Sequence, residues 1–176
     1  MIESKPKVLK TNQSMQIIIN VDSFGEFMSF PYHKQEAKYT CGAASARMAL
    51  EFCGIKKDEK QVIKLLGTNK VRGSWIKNFP RVAEMFKLDY VVKRNAKIED
   101  LRRFHKDGYV IIIDYFYPPE KVDHYSILRK IDSKNIYFCD PFFGPRHKYP
   151  LSYFKKIWKC DPKYDPEKRW FIAIRR

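Results

Sequence analysis

The chain has 176 residues, with 35 Lys and Arg against 20 Asp and Glu, a formal charge of +15, and 44% hydrophobic residues. That length suits one domain able to bury its own core, and the apolar content excludes disorder for most of it. The longest apolar runs, Met15–Val21 and Tyr109–Ile113, are too short to span a bilayer, and the Ile17–Ile19 core is no secretory signal, so a cytoplasmic protein is expected.

Residues 1–14 are polar and basic and read as a tail; Met15–Val21 reads as a strand, an edge strand if it joins a sheet. We treat 1–28 as an N-terminal extension and 29–176 as the domain. Phe27–Lys34 is expected to be extended, with Pro31 forbidding a helix start. Cys41–Phe52 is rich in Ala, Met and Leu on nearly every side, which predicts a helix buried in the core and ended by Gly54. Asp58 and Gln61 form a capping box for a helix over Glu59–Leu66, stopped by Gly67. Ser74 is expected to cap a surface helix over Trp75–Phe86, with Pro80 inside it. A strand follows at Leu88–Lys93, then a basic helix at Ile98–Lys106 closed by Gly108.

From there the pattern turns β-like. Strands are expected at Tyr109–Phe116, Asp123–Ile131, Asn135–Cys139 and Trp170–Arg175, with a short helix at Leu151–Trp158. The expectation is an α+β domain, a helical first half followed by an antiparallel sheet with a cleft between them.

Four cysteines are present, Cys41, Cys53, Cys139 and Cys160. None is spaced as Cys-x₂-Cys and no close His pair accompanies them, so neither a metal site nor any other cofactor is implied. A reducing compartment argues against disulfides. The basic residues are dispersed, the longest runs being pairs such as Lys56-Lys57 and Arg102-Arg103. That pattern reads as a solvated surface suited to an acidic substrate, and nucleic acid is not an expected partner.

Cys41 alone has a setting that suggests chemistry. It opens a helix, where unpaired N–H groups and the positive macrodipole end favour thiolate over thiol. Gln35, six residues upstream, can offer a side-chain N–H to an oxyanion. A thiol nucleophile also needs a base, and the base an orienting partner. His33 lies in the extended approach, His105 in an exposed basic helix, and His147 in a loop beside Arg146 and Lys148. His124 starts a strand, where the backbone is held still at the mouth of a cleft. Asp140 ends the next strand. If the hairpin turns at Asp132–Asn135, the two face each other directly across it. Singly, each of these residues has an ordinary structural explanation; jointly, they point to a cysteine hydrolase.

The same residues carry a family resemblance. Gln35, Cys41, Gly42 and Ala44, then His124-Tyr125 with Ile127-Leu128, then Asp140-Pro141, resemble the papain-like cysteine peptidases. They are closest to the bacteriocin-processing double-glycine peptidases and their free-standing relatives, no transporter segment accompanying the motif. Leu65–Thr68 and Gly73-Ser74 are similar to that family's helical half, and the likeness spans Phe30 to Ile174. Ala44 departs from the signature of papain itself. The resemblance implies a papain-like fold and a peptide or protein substrate. It implies Cys41 as nucleophile, His124 as base and then acid, Asp140 as its orienter, and Gln35 with the Cys41 N–H as oxyanion hole. Phe142 and Phe143, just after the aspartate, either shield the His–Asp pair from water or serve ordinary core packing. Acyl transfer to an amine would use the same residues, and a non-catalytic binding module would need none of them. The oligomeric state is left open.

Overall fold

A computed structural model describes residues 30–161, 163 and 168–176. The strand expected at Met15–Val21 lies outside them, as do residues 27–29 of the extended approach. Among the described residues, five helices and six strands follow in the order α1 (Cys41–Phe52), α2 (Glu59–Leu66), α3 (Asn78–Met85), β1 (Asp89–Lys93), α4 (Ile98–Lys106), β2 (Val110–Tyr117), β3 (Val122–Ile131), β4 (Asn135–Asp140), β5 (Gly144–Pro150), α5 (Leu151–Ile157) and β6 (Phe171–Arg175). The strands form one sheet in the order β1-β6-β2-β3-β4-β5, every neighbour antiparallel.

Strand alternation divides the core between the two sheet faces. On β2, Val110 and Ile112 join Ile127 and Ile172 beneath α1–α3, while Ile111 and Ile113 join Leu128 and Phe171 beneath α4 and α5. Helix α1 is buried along nine of its twelve residues. Its alanines let it press against β2 and β3, and Ser45 Oγ donates to the Tyr125 carbonyl at 3.2 Å. This places the N-terminus of α1, and so Cys41, at the mouth of β3.

Local signals set several boundaries. Asp58 accepts from the Gln61 N–H at 2.7 Å and its own N–H donates to Gln61 Oε1 at 3.1 Å, the expected reciprocal cap. Gly67 stops α2 in the left-handed region at φ 61°.

Three expectations need correction. Helix α3 begins at Asn78, not Trp75. Pro80 lacks an N–H, so it fits the first turn of a helix but not its interior. Ser74 is not a cap; its Oγ is 2.7 Å from Thr68 Oγ1 and its carbonyl accepts from Tyr125 OH at 2.8 Å. Second, His147 lies in a strand, β5, and not in a loop. Third, the β3–β4 register pairs Ile127 with Cys139 and Leu128 with Phe138, with an irregularity between Leu128 and Lys130. Continued one step, that register sets Ser126 across from Asp140. His124 is a diagonal neighbour on the same face, still within reach of a long side chain.

Candidate active site

Helix α1 starts without a side-chain cap and with no acidic residue in its first turn. Thr40, the preceding residue, turns its hydroxyl back to Ala37, accepting from its N–H at 3.1 Å and donating to its carbonyl at 3.0 Å. The chain's own side chains therefore leave the positive end of the helix unquenched, at the residue that carries the thiol. Cys41 is 6% exposed.

Gly42 is required by packing at the same turn. A Cβ there would meet Ser74 Oγ at 2.5 Å and Ser74 Cβ at 2.6 Å. Only hydrogen fits.

His124, 7% exposed, directs Nε2 at both oxygens of Asp140, 2.9 Å from Oδ2 and 3.1 Å from Oδ1. Cys41 lines the same narrow pocket as His124 and acts electrostatically on the ring that Asp140 holds. Asp140 is fully buried. It also accepts from Tyr115 OH at 3.1 Å and from the N–H groups of Phe142 and Phe143, each at 2.8 Å. The rings of Phe143 and Phe142 lie with their centroids 5.7 and 6.5 Å from that of His124.

The electrostatics follow from these contacts. Burial alone would lower the His124 pKa, but hydrogen bonds and charge from Asp140 and Cys41 outweigh it and raise it to about 10. Burial works to raise Asp140, yet His124 and the two backbone donors hold its carboxyl below the usual range. Burial pushes the thiols of Cys53 and Cys139 up to about 11.

Gln35 reaches the same pocket, of about 20 Å³, that Cys41 and His124 line. Its backbone N–H donates to the Pro141 carbonyl at 3.0 Å, tying the approach to α1 to the segment after Asp140. Its side-chain Nε2 donates to the carbonyls of Ala37 at 2.8 Å and Lys38 at 3.2 Å, while Oε1 is buried without a hydrogen-bond partner. The donor expected at the oxyanion position is thus engaged with the loop leading to Cys41.

The other histidines stand apart. His33 Nε2 is 2.6 Å from Glu51, and His105 is half-buried against the Arg129 carbonyl at 3.0 Å, not exposed. His147 stacks on Phe143 at 4.5 Å, and burial lowers its pKa. Two residues of the site escaped the sequence reading. Tyr115 is one; the other is Asp114, 1% exposed, whose Oδ2 accepts from Cys160 Sγ at 3.2 Å while Oδ1 has no partner. The available signal was a single carboxylate within the apolar run Val110–Phe116.

Cys41 also opens onto a cleft of about 780 Å³ between the loop at Lys70–Ser74 and the start of β3. Among the described residues no group of His, Cys, Asp or Glu could hold a metal ion, and no helix is long and apolar enough to cross a membrane.

The pattern of the Peptidase_C39 like family matches residues 27–164. No curated protein matches the sequence. Among solved structures, a putative C39-like peptidase from Bacillus anthracis aligns with a TM-score of 0.67 at 15% identity, over 83% of this chain and 94% of that one. The peptidase domain of Streptococcus ComA, a bifunctional ABC transporter involved in quorum sensing, aligns at 0.63 and 14% identity over 81% and 96%. A double glycine motif protease from an AMS/PCAT transporter, in complex with its leader peptide, aligns at 0.59 and 20% identity over 84% and 92%. These likenesses establish a papain-like fold of the C39 type.

Proposed function

The chain belongs to the Peptidase_C39-like family of cysteine peptidases, and from that premise we propose that Cys41, His124 and Asp140 hydrolyse a peptide or isopeptide amide through an acyl-enzyme. The observation that carries this reading is the position of His124, with Nε2 2.9 Å from Asp140 and the ring lining one narrow pocket with Cys41.

The Cys41 sulfur attacks the scissile carbonyl as His124, acting as base, takes the thiol proton. The electron pair of the C=O bond moves to oxygen, where the Cys41 N–H at the uncapped start of α1 can receive it. Gln35 joins by giving up the longer of its two side-chain bonds, that to Lys38. The intermediate collapses by breaking the C–N bond, and His124 delivers its proton to the departing amine. Water then attacks the thioester, with His124 as base, and releases the acid and the thiol. Asp140, locked by Tyr115 and two backbone donors, orients the ring and stabilises its charge throughout.

The leader-peptide complex of a structural neighbour supports a peptide as substrate. An acidic one fits the cleft best. Its walls carry six cations, Lys38, Lys70, Arg72, Lys121, Lys159 and Lys163, against three carboxylates.

Alkylation by iodoacetamide tests the central pair. Cys41 lines both the narrow pocket and the large cleft, whereas burial pushes the Cys53 and Cys139 thiols up to about 11, and a Cys41→Ala control assigns the label to Cys41. Rapid labelling near about pH 6 that is lost in His124→Ala is expected from a thiolate held by imidazolium. A thiol that reacts only above about pH 8 in both proteins would overturn the reading.

A further inference from the structure

Adjoining the cleft onto which Cys41 opens lies a chamber of about 140 Å³ that the proposed chemistry does not use. Ser74 and Tyr125 line both this chamber and the large cleft, so the two adjoin. The chamber also contains Asp114 and Asp123, with Trp75 among its walls.

Asp114 is an anomaly by elementary energetics. It faces α1 from the middle of β2, directly across from Tyr125, and is 1% exposed. Among the described residues, its Oδ2 receives only the weak donor Cys160 Sγ, and Oδ1 receives nothing. A buried carboxylate oxygen left without a partner costs the full loss of its hydration. Asp123 compounds the cost, because it brings a second acid to the same chamber; the Asp161 N–H donates to it. Burial, then repulsion from Asp123, pushes the Asp114 carboxyl well above the usual range. Arg72 and Lys77, which also line the chamber, are stacked on the Trp75 ring at 4.0 and 3.6 Å.

The chemistry fixes which part of a substrate meets this chamber. His124 must protonate the departing amine, so the amine side occupies the narrow pocket shared by His124, Gln35 and Phe142. The acyl side then runs the other way from Cys41, past Ser74 and Tyr125. A cationic side chain there would supply the missing donor to Asp114 Oδ1 and offset the charge of two acids, while its aliphatic stem would lie along Tyr125 and Trp75. A neutral aliphatic chain of the same length would bury Asp114 deeper with nothing in return.

On the reading that Cys41 forms an acyl-enzyme, we propose that this chamber is a specificity subsite for a lysine or arginine side chain on the acyl side of the scissile bond, held by Asp114 with Asp123. The substrate would then present an acidic stretch to the cleft walls and one cation close to the cleaved bond.

Peptidyl acyloxymethyl ketones, with Lys, norleucine or Gln placed first, second or third from the reactive ketone and glycine elsewhere, test this directly. Labelling of Cys41 is followed by mass spectrometry in wild type, Asp114→Asn and Asp123→Asn. At one position Lys is expected to label at least about tenfold faster than norleucine. Asp114→Asn should bring that ratio close to one, and Asp123→Asn should lower it by less. Equal or faster labelling by norleucine or Gln at every position overturns the proposal. So does a Lys preference that survives Asp114→Asn in a variant with wild-type circular dichroism. If that variant fails to fold, the wild-type ratio and the Asp123→Asn effect decide. Should no ketone label a Cys41 that still reacts with iodoacetamide in a His124-dependent way, the subsite falls and the hydrolase reading stands. Loss of that dependence removes both.

Discussion

His124 Nε2 lies 2.9 Å from Asp140 Oδ2 and 3.1 Å from Oδ1, and this contact crosses a diagonal between β3 and β4. The diagonal matters because neither residue could be shifted along its strand and keep it. Asp140 is the last residue of β4, and its Oδ1 is already fixed by the N–H groups of Phe142 and Phe143 in the turn that follows. The carboxylate therefore comes with its orientation set by backbone, and the imidazole is positioned against it.

Asp140→Asn keeps the shape but replaces one acceptor oxygen with an N–H₂ that must face either the His124 ring or the two backbone N–H groups. Turnover of a peptide substrate is expected to fall by about 10²–10⁴ with little change in KM. A loss below about threefold would show that the ring is held by other contacts.

The pH dependence follows with a definite sign. Free histidine titrates near 6.5, and His124 is raised to about 10. Its contribution to folding stability is fully present below pH 6.5 and is lost as pH rises through about 10. Asp140 is the mirror case: its contribution is present above the ordinary carboxylate range and is lost as pH falls through its lowered value. The alkylation rate of Cys41 should show an upper step near 10, where His124 yields its proton. In Asp140→Asn the upper step should move to lower pH, because burial then acts on the ring with one opposing partner fewer. An upper step unmoved by that substitution would refute the assignment.

Gln35→Ala removes the proposed side-chain donor to the oxyanion, and turnover should drop about 10²–10³-fold. Iodoacetamide develops no oxyanion, so alkylation should change far less. Equal loss in both assays would instead mark Gln35 as a staple of the loop, holding Ala37 and Lys38 through the bonds seen here.

How legible the molecule was depends on where the information resides. The α2 cap was readable because Asp58 and Gln61 satisfy each other within one turn. Cys41–Phe52 was readable because small and apolar residues recur on nearly every side of it, the pattern of a helix buried in the core. Ser74 misled because a cap and a tertiary hydrogen bond use the same hydroxyl, and here Thr68 takes it. Strand β5 was missed because Pro145, Arg146 and Lys148 give no apolar alternation, and its edge position makes none necessary. The β3–β4 irregularity shifts register without leaving a mark in the residues themselves. Asp114 shows the converse: a lone acid among isoleucines and tyrosines was visible, but its meaning required the chamber.

Gly42→Ala isolates the packing that seats the nucleophile. By helix propensity alone, alanine should gain at most about 1 kcal/mol over glycine, and less at Gly42 because it is the second residue of α1. Here the new methyl would meet Ser74 Oγ and Cβ at 2.5 and 2.6 Å and the Tyr125 ring at 3.1 Å. Ser74 cannot retreat cheaply, since Thr68 holds its hydroxyl at 2.7 Å and Tyr125 OH its carbonyl at 2.8 Å. Overpacking should win, with a net loss of about 1–3 kcal/mol in denaturant unfolding and a slower alkylation of Cys41 as the first turn of α1 is pushed outward. Ser74→Gly removes both atoms of the closest clash, so the double variant should recover part of the stability even though Ser74→Gly alone is destabilising. Additive losses in the double variant would mean that the glycine is required for a reason other than the approach of Ser74.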